Sequence, residues 1–256
     1  MNTCENDAGK HPAHRRAAWS HAGNARYDSH GAASFAEDFK PLGKRPTVWN
    51  IVDALLKTPG RVAYEIMNGS GPKTSGALLL ALAATMLGYG IVMGSFPGGK
   101  QLWVVPVKVV IGTMASGLIC LPSLHVFACV CGSSLTLRQT SGLMLMFITL
   151  AGMLMIGFAP VVWLFSQSTG TTVFMAFLHV LFWIVSVRFG LRLLQAAISH
   201  VDKGSMRIIR AWWIVFILVS MQMTTALRPL VGEFDGFRLH GRRFFFSHWV
   251  QCMKDC

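Results

Sequence analysis

Acidic side chains are scarce in this sequence: 256 residues contain 11 Asp and Glu against 23 Lys and Arg, and charged residues of both signs make up only 13%. An ordinary globular domain carries roughly twice that share of charge. Carboxylates are nearly absent from the apolar runs between residues 77 and 227, which leaves general acid–base chemistry badly supplied at those positions. Also missing are a GxxxxGK(S/T) phosphate loop, a GxGxxG fingerprint, an HExxH pair and a GxSxG elbow, so enzyme chemistry lacks a starting residue. No early apolar core with a cleavage site occurs, so no removable signal peptide is expected and the first true span must serve as the insertion signal. The formal charge of +12 invites a nucleic-acid reading. The basic residues are scattered among connections with no recognition module, and no nucleic-acid partner is expected.

What is present is apolar. Hydrophobic residues make up 53% of the chain, mean hydropathy is +0.49, and uncharged runs occupy 77–96, 109–131, 141–165, 171–187 and 211–227. Runs of roughly 17 to 25 such residues match the hydrocarbon thickness of a bilayer. The expected fold is therefore all-α, a polytopic membrane helical bundle with about five transmembrane helices in 77–227 and interfacial helical flanks. The last two runs are short, so each is expected to extend into its charged flank, with Arg188 or Arg228 snorkelling to the headgroups. Residues 1–45, rich in His and Arg among Gly, Ala, Ser and Asn, read as a flexible cytoplasmic head.

Basic residues set the orientation. The segment before the first run, Arg138 after the second, and the connection 188–210 with five basic residues against one acidic share one side if five helices alternate. The positive-inside tendency then places the N-terminus in the cytoplasm and the tail 228–256 on the other face. Arg228, Arg238, Arg242, Arg243 and Lys254 in that tail oppose the assignment but are outvoted by the loops. Anionic lipids are natural partners of such connections.

Segment 46–76 reads as an approach to the first span. Val48, Trp49, Val52, Leu55 and Leu56 fall on one helical face, Pro59 and Gly60 interrupt, and Val62, Ala63, Ile66 and Met67 resume. Either an in-plane interfacial helix with a break or a cytoplasmic helix packed on the bundle satisfies this pattern. After the fourth run, Leu191, Leu194, Ile198 and Val201 recur at helical spacing, so that helix is expected to continue beyond the membrane and stop near Lys203 and Gly204.

Polar groups at membrane depth are the candidate contacts: Lys108, His125, His179 and Gln222. Lys108 can snorkel or bind a substrate or partner. His125 and His179 suit interhelical hydrogen bonds, with proton or metal chemistry as the alternative. Glycines at 88, 90, 94, 112, 117, 142, 152 and 157 allow close helix approach, methionines fill irregular gaps, and Pro122 and Pro160 are expected to bend their helices. His248, Cys252 and Cys256 share a helical face, but three ligands at a chain end make a weak site and no metal is assigned. The cofactor is unknown.

The run Leu121-Pro122-Ser123-Leu124-His125 leading to Gly132-Ser133-Ser134-Leu135-Thr136-Leu137-Arg138-Gln139, and the run 221–232, together with a polar head and five apolar runs, resemble Yip1-like integral membrane proteins, especially bacterial members. The resemblance covers about 46–232. It implies a protein that partners other integral membrane proteins, in a bacterial inner membrane, and offers no catalytic residues. The expected function is a non-catalytic membrane scaffold or subunit of a larger membrane protein complex, with a homo-oligomer admitted; the alternative is a small-solute or ion channel or transporter using polar groups within the bundle. In the tail, Phe244, Phe245, Phe246 and Trp249 among Arg238, Arg242 and Arg243 are expected to anchor on a partner, with mooring to lipid as the other reading.

Overall fold

The computed structural model describes residues 38–42, 47–68, 71–96, 99, 101–130, 132–169, 171–201 and 206–226. Seven helices lie among them: α1 (Val48–Lys57), α2 (Pro59–Met67), α3 (Gly71–Ser95), α4 (Gln101–Val130), α5 (Leu137–Ser168), α6 (Thr172–Val201) and α7 (Met206–Ala226). No strand occurs among the described residues, so the fold is an all-α bundle. α3, α4, α5 and α6 are long and apolar enough to cross a membrane. The fifth expected run lies in α7, whose stretch Ala211–Met223 is apolar.

Composition explains the two kinds of helix. α3 and α4 are apolar on all sides, as helices facing lipid and protein at once must be. α1 and α2 are strongly amphipathic. They bury Ile51, Ala54, Leu55, Val62, Ala63 and Ile66 against the bundle, and the break falls at Thr58 and Pro59, where Pro opens α2 at its first position and needs no amide hydrogen.

α3 and α5 form the centre. α4 lies against both, α6 packs along α5, and α7 packs mainly along α4. Close approach at the centre depends on residue size. A Cβ at Gly90 would stand 2.5 Å from Pro106 Cα on α4, and one at Gly152 would stand 2.9 Å from Met86 Cε on α3. The Thr149 hydroxyl on α5 lies 3.2 Å from the Leu78 carbonyl of α3 and 2.7 Å from its own-helix Leu145 carbonyl. Both carbonyls can share that donor, and this is possible only where two helix backbones nearly touch.

The turn from α4 to α5 is built by local chemistry. Gly132 has φ +87°, its amide donates to the Cys129 carbonyl at 2.9 Å, and the Ser133 amide donates to the Ala128 carbonyl at 3.0 Å. This is a Schellman ending, which needs the left-handed conformation that glycine adopts cheaply. Thr136 and Gln139 then form a capping box at the start of α5. The Gln139 amide nitrogen also donates to the Met67 carbonyl at 3.1 Å, so one side chain closes the N-terminus of α5 and takes up a free carbonyl at the end of α2.

Two boundaries differ from the sequence reading. α4 begins at Gln101, not near Val109, and carries Pro106 and Lys108 within its length. α3 begins at Gly71, ahead of the uncharged run. In both cases a charged residue near a helix end does not stop the helix, because its side chain can reach away from the apolar layer.

Candidate functional site

Two polar nodes lie between helices, toward opposite ends of the bundle. The first joins α3 to α6. Tyr89 Oη and His179 Nδ1 are 2.7 Å apart, the rings meet edge to face with centroids 5.7 Å apart, and both residues are buried. His179 Nε2 is buried with no hydrogen-bond partner among the described residues. If the phenol donates to Nδ1, the imidazole hydrogen sits on Nε2 and lacks an acceptor. If Nδ1–H donates to the phenol oxygen, Nε2 is an unmatched lone pair. Either arrangement leaves a buried polar group unsatisfied, at a cost of about 1–3 kcal/mol.

The second node joins α4 to the start of α5. His125 Nδ1 is 3.2 Å from Thr140 Oγ1, and the Thr140 hydroxyl donates to the Thr136 carbonyl at 3.1 Å. With that hydrogen committed, His125 must donate from Nδ1, which leaves Nε2 as an acceptor facing the Cys129 thiol at 3.8 Å. Beside it, Trp212 Nε1 of α7 donates to Ser123 Oγ at 2.9 Å, and Ser123 passes its own hydrogen to the Cys120 carbonyl at 2.8 Å. Trp212 is fully buried. Its ring centroid lies 6.4 Å from that of Phe147 on α5 and 5.6 Å from that of Phe216, which in turn lies 4.8 Å from Phe147.

The two histidines do not meet. A Cβ at Gly88, next to Tyr89, would stand 3.0 Å from Ile156 Cδ1, which fixes the level of the first node on α5. Thr140 fixes the level of the second. The two levels are sixteen residues apart on α5, roughly 24 Å at 1.5 Å per residue.

Lys108 stands near the depth of Tyr89, since Pro106 lies against Gly90. It sits about 200° around α4 from Pro106 at ~100° per residue, so it projects away from α3, and it is half-buried. Gln222 is exposed on α7. His125 and His179 belong to separate nodes. Phe244, Phe245, Phe246 and Trp249 lie outside the described residues, as do His248, Cys252 and Cys256.

No family model, curated protein or solved structure matches this chain. The site is therefore read from its own chemistry. Among the described residues no three His, Cys, Asp or Glu side chains gather at metal-binding distance. The Tyr89–His179, His125–Thr140 and Trp212–Ser123 contacts each link two helices, and such bonds in a membrane average about 0.6 kcal/mol, with a maximum near 1.7.

Sequence reasoning had singled out the histidines but missed their partners Tyr89 and Thr140. A Tyr between Gly88 and Gly90 in an apolar run was the available signal for the first, because a buried phenol needs a partner for its hydroxyl. The pairing of Trp212 with Ser123 had no such signal. The Trp212 ring is the core of the α4–α5–α7 junction.

Proposed function

We propose that this chain is a non-catalytic scaffold or subunit of a larger membrane protein complex, with its N-terminus cytoplasmic and its tail on the opposite face of a bacterial inner membrane. The observation that carries this reading is the separation of its two histidine nodes. His125 and His179 belong to separate nodes toward opposite ends of the bundle, whereas moving a solute requires polar groups to converge on one path. The outward side of α4, with Trp103, Leu118 and Val130 strongly exposed, supplies apolar area for other integral membrane proteins. The Yip1-like resemblance points the same way, and the stretch that carries it, 121–139, forms the end of α4, the Schellman turn and the capping box of α5.

The test is truncation after Gly232. The tail anchors Phe244, Phe245, Phe246 and Trp249 are taken as the main partner contact. The truncated chain should still insert and yet lose its co-purifying proteins after gentle solubilisation; an unchanged complex removes the tail from the interface.

One observation favours the second reading, a channel or transporter. His179 Nε2 is a buried donor or acceptor without a protein partner, and an aqueous path reaching it would supply one. Solvent deuterium reaching the His179 ring within seconds in reconstituted vesicles would move the account to that reading.

A further inference from the structure

The first amphipathic helix has more apolar surface than the bundle covers. Placed around α1 at about 100° per residue, its side chains fall into three arcs. Ala54, Ile51 and Leu55 form the first and are buried against α3 and α5. Next around the helix come Val48, Val52, Leu56 and Trp49. The two valines are half-covered at the edge of the core, while Leu56 is 56% exposed and Trp49 79% exposed. Asp53, Lys57 and Asn50 complete the circle and are all exposed, with Lys57 Nζ 2.7 Å from Asp53 Oδ1. A helix resting on a soluble surface has one buried arc and one polar arc. This one has a second apolar arc between them.

The level of α1 along the bundle decides what faces that arc. α2 follows directly, and it is tied to the first turns of α5 by the Gln139–Met67 bond and by Ile66, whose Cγ2 lies 2.5 Å from where a Cβ at Gly142 would stand. α1 therefore lies beside the ends of the membrane-crossing helices, where hydrocarbon gives way to headgroups. The apolar arc is left between the bundle on one side and the exposed polar arc on the other. Exposed cations lie on the neighbouring segments: Lys40 ahead of α1, Arg61 on α2, Lys73 in the first turn of α3 and Arg138 in the first turn of α5. The Lys57 charge is offset by Asp53, and Glu65 is engaged by the Leu42 amide at 3.0 Å.

We propose that α1 is a lipid anchor: Trp49 and Leu56, flanked by Val48 and Val52, are immersed in the headgroup–acyl boundary of an anionic leaflet, and the cations of the neighbouring segments meet its phosphates. Trp suits that depth because its ring is apolar and its indole N–H is polar, and basic residues close to an anionic surface add attraction that fades within a Debye length. The two sequence readings of this segment are thereby both satisfied, since one face packs on the bundle while the adjacent face lies in lipid. The inference is independent of the subunit assignment, because it concerns lipid contact in the isolated chain.

The test uses the full chain with its native cysteines replaced by serine and a single nitroxide at Leu56→Cys, Trp49→Cys or Asn50→Cys. It is reconstituted in phosphatidylcholine vesicles with or without a minority of phosphatidylglycerol. Labels at 56 and 49 should be reached better by oxygen than by a nickel chelate, with the order reversed at 50, and added phosphatidylglycerol should shift 56 and 49 deeper. Chelate-dominated access at 56 and 49 means that the arc faces water and overturns the proposal. Exclusion of both reagents means that protein covers it and overturns it equally. Lipid access that does not respond to phosphatidylglycerol overturns the anionic part. Two reporters on the same arc keep the result readable if one variant folds poorly.

Discussion

The seam between α3 and α5 and the attachment of α7 solve the same problem by opposite means. Along the seam the backbones approach closely at Gly88, Thr149 and Gly152, and contact is spread over many small steps. α7 concentrates its hold in large rings: Trp212 and Phe216 gather on Phe147, and the indole nitrogen reaches Ser123 on α4. Between α7 and α6, the Arg188 guanidinium lies over the Trp213 ring, 5.8 Å from its centroid. Lipid gives no hydrophobic drive for helices to associate, so affinity rests on packing and on interhelical hydrogen bonds. A distributed seam survives the loss of any one contact. A keyed joint does not.

The largest expected effect follows from that difference. Trp212→Ala empties the junction of α4, α5 and α7, and should destabilise the bundle by about 3 kcal/mol or more. Steric trapping or reversible unfolding in mixed micelles measures this, and crosslinks between α7 and α4 should be lost at the same time. A loss below about 1 kcal/mol would mean that α7 is held elsewhere and the contrast with the seam fails.

Next comes Gly90→Ala. The added carbon would stand 2.5 Å from Pro106 Cα, and because that neighbour is backbone, relief requires α3 and α4 to separate. A loss of about 1–3 kcal/mol is expected. Gly157→Ala is the control, since nothing lies within 4 Å of its Cβ position, and its stability should not fall. Equal effects of the two substitutions would show that the helices are not in the contact described.

Smallest is the removal of single hydrogen bonds across the seam and beside it. Thr149→Val and Tyr89→Phe should each cost about 0.6 kcal/mol, the average for such bonds in membranes. For Tyr89 a double-mutant cycle with His179→Leu isolates the pair. A coupling near zero would make the 2.7 Å contact energetically idle, whereas one well above 1.7 kcal/mol would exceed what a fastening bond supplies.

Much of this architecture was legible because it rests on run length and period. The uncharged runs located the helices, and Pro59 located the break between α1 and α2. Leu191, Leu194 and Ile198 correctly carried α6 past the apolar run to Val201. The capping box was also written in the sequence, as Thr136-Leu137-Arg138-Gln139, because its two partners are three residues apart and its signature is local. What could not be read was long-range. Tyr89 and His179 are 90 residues apart in the chain, and Trp212 and Ser123 are 89, so only the rotation and depth of each helix decides whether they touch. The α4 start was misjudged for a local reason: Lys108 looked like a boundary, but on the outward side of a helix a lysine is no barrier to continuing it.

The proposed reading, in which the chain works through partners, rests on the separation of its two histidine nodes and on the apolar area left open on α4. Native mass spectrometry after gentle extraction, combined with crosslinking in the protein's own membrane, tests this most directly. The account predicts assemblies heavier than the monomer, seen by both methods and containing either other membrane proteins or further copies of the chain. A single species of monomer mass by both methods would contradict it.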